Sequence, residues 1–152
     1  MPYTITVPDN YGYVILSTVV NTLFITPMYM GGKVMTARKQ FNVQYPNLYA
    51  VPGFHKDADA FNRVQRGHQN MFEGLPGAAI MLLIGGLKYP LANAVYGVLF
   101  SAGSILYQVG YSGTSLDVKG ARYEKGGMLK WVGFFGALGS TISLAGSMIG
   151  WW

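Results

Sequence analysis

Residues 61 to 74 read FNRVQRGHQNMFEG, and residues 75 to 87 continue as LPGAAIMLLIGGL. The second run has no charged side chain, but alone it is too short to cross a membrane, which takes ~20 helical residues for ~30 Å of hydrocarbon. It reaches spanning length if the polar segment forms its first turns, which gives one helix from about residue 61 to 87. This interpretation puts Arg66, Asn70 and Glu73 on a membrane helix and not in a loop.

The rest of the chain has the composition of a membrane protein. It is 51% hydrophobic and 11% charged, whereas a soluble domain carries roughly 25% charged residues. Residues 10–32, 89–116 and 131–152 are also free of charge, and each stretch is long enough to span a bilayer. We therefore predict an all-α membrane protein, a single-domain bundle of four transmembrane helices covering residues 1–152. The predicted spans are residues 10–36, 63–87, 91–112 and 129–151.

The basic residues lie in or beside two loops, residues 37–62 and 113–128, whereas the two termini and the link between the second and third spans hold one lysine, Lys88. With four spans these two loops share a side of the membrane, and the positive-inside rule places that side in the cytosol. Because the net charge of +5 follows the loops and forms no stripe on a soluble fold, nucleic acid is not an expected partner. The chain contains no cysteine, which excludes disulfides and cysteine catalysis by the chain itself.

The polar segment has helical spacing. Asn62, Arg66, Asn70 and Glu73 are separated by four, four and three residues, so they share one helix face, with Gln69 beside them. Charged groups at membrane depth cost about 2.5 to 3.5 kcal/mol each on insertion scales and usually face protein or a water-filled cavity. Two interpretations remain open: an internal network that holds helices together, or a binding site.

The end of the third predicted span, ILYQVGYSG, carries two tyrosines four residues apart, Tyr107 and Tyr111. Tyrosines near the end of a span are typical of the aromatic belt at a membrane interface. Alternatively, a face with arginine, asparagine and glutamate opposite two phenols would suit a small zwitterionic ligand, whose carboxylates would meet arginine and whose ammonium group would meet glutamate.

Three motifs together carry a family resemblance. The segment FNRVQRGHQNMFE at 61–73, followed by LYQVGYSG at 106–113, resembles the paired signature of the MAPEG superfamily, membrane-associated proteins in eicosanoid and glutathione metabolism. The segment ARKQFNVQYP at 37–46 is similar to the first-loop segment of the type 3 subgroup of microsomal glutathione S-transferases. The order and spacing of the motifs agree with this family over nearly the whole chain.

The resemblance implies a homotrimer of four-helix subunits, with glutathione bound as a co-substrate between adjacent subunits near the cytosolic face, and no metal. It implies that Arg38 contacts the carboxylate end of the peptide. His68 stands where a family member contacts glutathione across the subunit boundary, although a structural histidine is an equal alternative. The remaining positions that match glutathione contacts are Arg66, Asn70, Glu73, Tyr107 and Tyr111.

Catalysis in such an enzyme requires a thiolate. A thiol with a pKa near 8.5 is mostly protonated at pH 7, and the thiolate is the nucleophile. In the resembling enzymes an arginine just after the third helix stabilises this thiolate, and Arg122 is the candidate here. Lys119 is a fallback, but an ammonium group lacks the fixed fork of guanidinium donors. A solvated loop arginine without a catalytic role is the alternative for Arg122.

The resemblance implies a glutathione transferase for lipophilic electrophiles, with peroxidase activity toward lipid hydroperoxides, embedded among membrane lipids of the endoplasmic reticulum or the mitochondrial outer membrane. Gly74 stands where some relatives carry a tyrosine that touches glutathione, which argues against a dedicated leukotriene C4 synthase. Two other classes stay open: a non-catalytic lipid-binding scaffold and a structural membrane subunit. The intact set of arginine, asparagine and glutamate favours the enzyme over the scaffold.

Overall fold

The computed structural model describes residues 6–151, so the two ends of the predicted domain, residues 1–5 and 152, lie outside the described residues. The described part of the chain is helical and contains no strand. Its five helices are α1 (Tyr11–Gln40), α2 (Ala58–Gly86), α3 (Pro90–Tyr111), α4 (Val118–Glu124) and α5 (Leu129–Met148).

Three of these helices, α1, α3 and α5, are long and apolar enough to cross a membrane. Helix α2 has 29 residues, which gives it a length of roughly 43 Å at 1.5 Å per residue. Its first half carries the charged side chains of the polar segment, so composition alone does not mark it as a span. The fourth transmembrane span stays a prediction.

Helices α1 and α2 extend beyond the predicted membrane spans. Helix α1 ends at Gln40 and α2 begins at Ala58, so both enter the segment predicted as the first cytosolic loop, residues 37–62. The early start of α2 is supported locally, because the Asn62 side chain accepts a hydrogen bond from Ala50 N (2.8 Å) and donates one to Ala50 O (3.0 Å). These two bonds tie the first loop to the first turns of α2.

The second loop, predicted at residues 113–128, contains the short helix α4. Asp117 caps this helix by accepting a hydrogen bond from Gly120 N at 3.0 Å, the arrangement that makes aspartate a favoured N-cap. The cap explains why an otherwise glycine- and charge-rich segment is helical. Arg122 therefore lies on a helix that packs on α3, and not in an extended loop.

Helix α3 packs against both α2 and α5, and glycines allow very close contact. A Cβ atom added at Gly103 would lie 1.9 Å from Lys130 N, and one added at Gly110 would lie 2.2 Å from Ala121 O. Because neither position has a side chain, α5 and α4 each touch α3 backbone to backbone, as small residues permit between membrane helices. These contacts bring the start of α5 and the middle of α4 to the second half of α3.

A buried amide joins three helices close to the end of α3. Gln108 on α3 is fully buried, and its Nε2 atom donates to Met30 O on α1 and to Val64 O on α2, both at 3.3 Å. Interhelical hydrogen bonds of this kind are one of the forces that associate helices in a membrane. The bond to Val64 fixes the register of α2 against α3 two residues before Arg66.

Candidate functional site

The polar face predicted on α2 is present. Arg66 Nη1 lies 2.5 Å from Glu73 Oε1, and Asn70 Nδ2 donates to Glu73 Oε2 at 3.3 Å. The exposed fractions of the Arg66 and Glu73 side chains are 42% and 47%. The internal network considered for these residues therefore exists, but an ion pair this exposed contributes only about 0–1 kcal/mol. A ligand could reach both charges and exchange partners with them.

Lys130 at the start of α5 joins this face, although it was not among the predicted site residues. Its side chain is almost completely buried, with 3% exposure. Its Nζ atom donates to Asn70 Oδ1 at 2.6 Å and lies 5.0 Å from the ring centres of Tyr107 and Trp131, within the range of cation–π attraction. A signal was available, since a cation in the first turn of a helix opposes the helix dipole.

Tyr107 is the centre of the second half of the site. It is 5% exposed, and its ring stacks on Tyr111 with ring centres 5.9 Å apart and an angle of 12° between the planes. The Tyr107 hydroxyl accepts a hydrogen bond from Arg122 Nη1 at 3.3 Å. Because Tyr107 is buried in the bundle and bonded to a cation, an interfacial aromatic belt does not describe it.

Arg122 is held by its own helix as well. Its Nε atom donates to Lys119 O at 3.0 Å, and its guanidinium carbon lies 5.0 Å from the ring centre of Tyr123. The hydrogen bond with the Tyr107 hydroxyl raises the pKa of Arg122 above its ordinary value, and a guanidinium group is cationic at neutral pH in any case. Lys119, the fallback, is exposed and contributes a backbone carbonyl to this arrangement.

A cavity of about 280 Å³ adjoins the polar face of α2. It lies beside the first loop, where the Tyr49 hydroxyl donates to Gln69 Oε1. Its wall holds two cations, two phenols and one carboxylate, that of Asp59, which pairs with Arg63. Arg66 and the phenols suit a ligand that carries negative charge and hydrogen-bond acceptors. The residues that line the cavity are Tyr49, Asp59, Asn62, Arg63, Arg66, Tyr111 and Val118.

Two predicted site residues have contacts of a different kind. Arg38 Nη1 donates to Val43 O at 3.3 Å, and its guanidinium carbon lies 4.4 Å from the Tyr45 ring centre. His68 faces α1 of its own chain, because a Cβ atom added at Gly31 would lie 3.6 Å from His68 Nε2. That nitrogen is buried without a hydrogen-bond partner. The contacts of both residues with a ligand stay predictions.

The described residues thus bring together six groups from four parts of the chain. Arg66, Asn70 and Glu73 come from α2, Tyr107 from α3, Arg122 from α4 and Lys130 from α5. Within residues 6–151, no three histidine, aspartate or glutamate side chains come together as candidate metal ligands. The arrangement combines three cations, one amide, one carboxylate and one phenol.

The comparison with protein families gives a match along nearly the whole chain. The MAPEG family matches residues 16–149, a segment that contains the polar face of α2, Tyr107, Arg122 and Lys130. The match and the three apolar helices show an integral membrane protein. The resemblance found in the sequence motifs is therefore confirmed at the level of the superfamily: this chain belongs to the MAPEG family.

Proposed function

We propose that this chain is a membrane glutathione S-transferase of the type 3 kind that conjugates glutathione to lipophilic electrophiles and also reduces lipid hydroperoxides with it. The MAPEG family includes glutathione transferases and peroxidases. One observation carries the proposal. The Arg66–Asn70–Glu73 face and the Tyr107–Arg122 pair lie at the same end of the bundle, joined through Lys130.

The polar face of α2 suits the charges of glutathione, which has two carboxylates and one ammonium group. A carboxylate of the ligand can replace Glu73 as the partner of Arg66, while the ammonium group takes Glu73. The exchange costs little, because the existing pair is exposed and weak, and it replaces one ion pair by two. Charge-assisted bonds to the ligand grow stronger as it excludes water from the site.

Arg122 is the residue that we assign to the thiolate. Lowering the pKa of a thiol by two units requires about 2.7 kcal/mol of extra stabilisation of the thiolate. A guanidinium group ~4 Å from the sulfur can contribute about 4 kcal/mol at an effective dielectric constant of 20, before desolvation is subtracted. The bond to Tyr107 at 3.3 Å holds the guanidinium in place, so little reorganisation is needed when the charge forms.

Both reactions begin with this thiolate. In the transferase reaction the sulfur forms a bond to the electrophilic carbon, the leaving group departs with its electron pair, and the thiol proton goes to solvent. In the peroxidase reaction the thiolate attacks the hydroperoxide oxygen and releases an alcohol, leaving a sulfenic acid. A second glutathione thiolate then attacks the sulfenic sulfur and forms the disulfide and water, so two glutathione molecules supply the two electrons.

We also propose that the active unit is a homotrimer of four-span subunits, with α2 as the fourth span. Arg66 and Glu73 are nearly half exposed, although they lie on a helix long enough to enter the membrane, and a neighbouring subunit would cover them. Arg38 would then act from that neighbour, and His68 would do so once its ring leaves the contact with Gly31 of its own chain. The loops around residues 37–62 and 113–128 would face the cytosol from the endoplasmic reticulum or the mitochondrial outer membrane.

The second candidate is a non-catalytic lipid-binding scaffold of the same superfamily. An apolar groove of about 560 Å³ lies between α1 and α3, which suits an acyl chain. A scaffold would bind lipid there without using the polar face of α2. Its walls include Tyr13, Leu16, Leu91, Val95 and Val98.

The experiment is a glutathione titration of the detergent-purified protein, monitored through the ultraviolet absorbance of the thiolate. Wild type is expected to bind saturably and to show thiolate, and Arg122→Ala is expected to bind with little thiolate. Lys125→Ala is the control, because this exposed lysine lies three residues away on the same segment. No binding at millimolar glutathione would contradict the enzyme and favour the scaffold, whereas binding without thiolate in wild type would contradict catalysis.

A further inference from the structure

Lys130 has an energetic cost that packing alone does not explain. Its side chain is 3% exposed, and the ion pairs formed within residues 6–151 are Arg63–Asp59 and Arg66–Glu73. Among these described residues its ammonium group therefore has no directly paired carboxylate, although Glu73 attracts it from a longer distance. It also lies in the first turn of α5, where the helix dipole repels a cation. Both effects destabilise the fold, and an ionisable residue at such a place is by default a candidate functional residue.

The ammonium group fixes the orientation of one amide. An ammonium group can only donate hydrogen bonds, so its 2.6 Å bond selects the Oδ1 atom of Asn70. The Nδ2 atom of Asn70 must then point the other way, and there it donates to Glu73 Oε2 at 3.3 Å. Without Lys130 the amide could turn over, and its oxygen would face the Glu73 carboxylate, where two acceptors repel each other.

A continuous chain of bonds follows from this orientation. It runs from Lys130 through Asn70 to Glu73 and ends at Arg66. The same ammonium group lies 5.0 Å from the ring centre of Tyr107, which accepts the bond from Arg122. Lys130 thus contacts both halves of the site, while its burial keeps it from the solvent side where a ligand would enter.

We propose that Lys130 is a positioning residue for glutathione: it orients Asn70 and, through Asn70, holds the Glu73 carboxylate ready for the ammonium group of the ligand. The inference rests on the proposed function, because it concerns how that ligand is held. Lys130 acts on binding of the ligand, whereas Arg122 acts on the thiolate. The two roles make different predictions for the binding constant and for the turnover.

The test uses Lys130→Met, which keeps an unbranched side chain one atom shorter and removes the charge and the donors. The Kd of glutathione is expected to rise about tenfold, which corresponds to about 1.4 kcal/mol, while kcat at saturating glutathione changes by less than about threefold. Lys130→Arg keeps a cationic donor and is expected to restore part of the affinity. Lys125→Met, at the exposed lysine on the preceding segment, is the matched control and is expected to leave the Kd unchanged.

A double-mutant cycle separates positioning from packing. If Lys130 acts through Asn70, Lys130→Met is expected to change the Kd far less in an Asn70→Ala background than in wild type. An equal change in both backgrounds would overturn the inference, because the lysine would then act through the packing of α5. Helical circular dichroism and gel filtration check that each variant is folded, and Lys130→Gln, which keeps an N–H donor, takes the place of a Lys130→Met variant that fails this check.

The outcomes for the two proposals can be told apart. If wild type does not bind glutathione at all, the proposed function fails and this inference fails with it. If wild type binds and folded Lys130→Met binds equally well, the inference about Lys130 is overturned while the proposed function stands.

Discussion

Replacing Gly110 with alanine tests whether the position of α4 sets the position of Arg122. A Cβ atom at residue 110 would lie 2.2 Å from Ala121 O and 3.3 Å from the Cα atom of Arg122, whereas ordinary contacts of a Cβ atom begin at 3.4 Å. The obstacle is backbone, which cannot rotate aside as a side chain can. Helix α4 must therefore move away from α3 by about 1 Å, the difference between the two distances, and Arg122 moves with it.

The magnitude follows from the contact that this movement breaks. The bond from Arg122 Nη1 to the Tyr107 hydroxyl is 3.3 Å long, and another ~1 Å takes it beyond hydrogen-bond range. Overpacking of this kind typically costs about 1–3 kcal/mol of stability, part of which the higher helix propensity of alanine, about 1 kcal/mol, offsets. A displacement of ~1 Å of a catalytic group can lower turnover by up to ~100-fold.

The assay measures conjugation of glutathione to a chromogenic aryl halide, together with the glutathione Kd. We expect Gly110→Ala to lose between 10- and ~100-fold in kcat and to keep its Kd within about threefold, because the polar face of α2 is untouched. Gly139→Ala is the matched control, since a Cβ atom there meets nothing within 4 Å. Wild-type turnover in a folded Gly110→Ala variant would refute the link between α4 packing and catalysis.

Three further predictions concern the same end of the bundle. Because Arg122 stays cationic, the pH profile of kcat/KM for glutathione is expected to have one ascending limb, which reports ionisation of the thiol. Arg122→Ala is expected to move the midpoint of this limb up toward ~8.5. An unmoved midpoint would contradict the assignment of Arg122 to the thiolate. Arg63→Ala removes the donor to two backbone carbonyls of the loop between α3 and α4, at 2.8 and 3.1 Å. It is expected to lower the free energy of unfolding by about 1 kcal/mol and to speed cleavage of that loop, which limited proteolysis with mass spectrometry measures. Asp117→Ala removes the cap of α4 and is expected to lower stability by about 1 kcal/mol and to reduce the thiolate signal. Asp117→Asn keeps a side-chain acceptor and is expected to retain the stability and the thiolate signal.

The polar face of α2 could be predicted because its geometry is local. Helical spacing alone puts Arg66, Asn70 and Glu73 on one side, and the structure shows them bonded to one another. The four-residue spacing of Tyr107 and Tyr111 predicted their shared face in the same way, and their rings are stacked. In both cases the information lies within two turns of one helix.

The role of Lys130 could not be predicted in this way, because it depends on contacts between helices. The lysine is 60 residues from Asn70 in the sequence, and it reaches Asn70 only because α5 touches α3 at Gly103. From the sequence Lys130 marks the edge of an uncharged stretch. Helix α4 was missed for a different reason, since its 7 residues, about two turns, are too few to show a period.

The backbone contact at Gly103 also bears on how this site can change during evolution. Any side chain at residue 103 would push α5 away from α3, because even a Cβ atom would lie 1.9 Å from Lys130 N. In a descendant with a larger residue at position 103, a lysine at position 130 would no longer reach the asparagine. Its burial would then destabilise the fold without any gain in ligand positioning. We therefore expect the glycine and the lysine to be gained and lost together as lineages diverge.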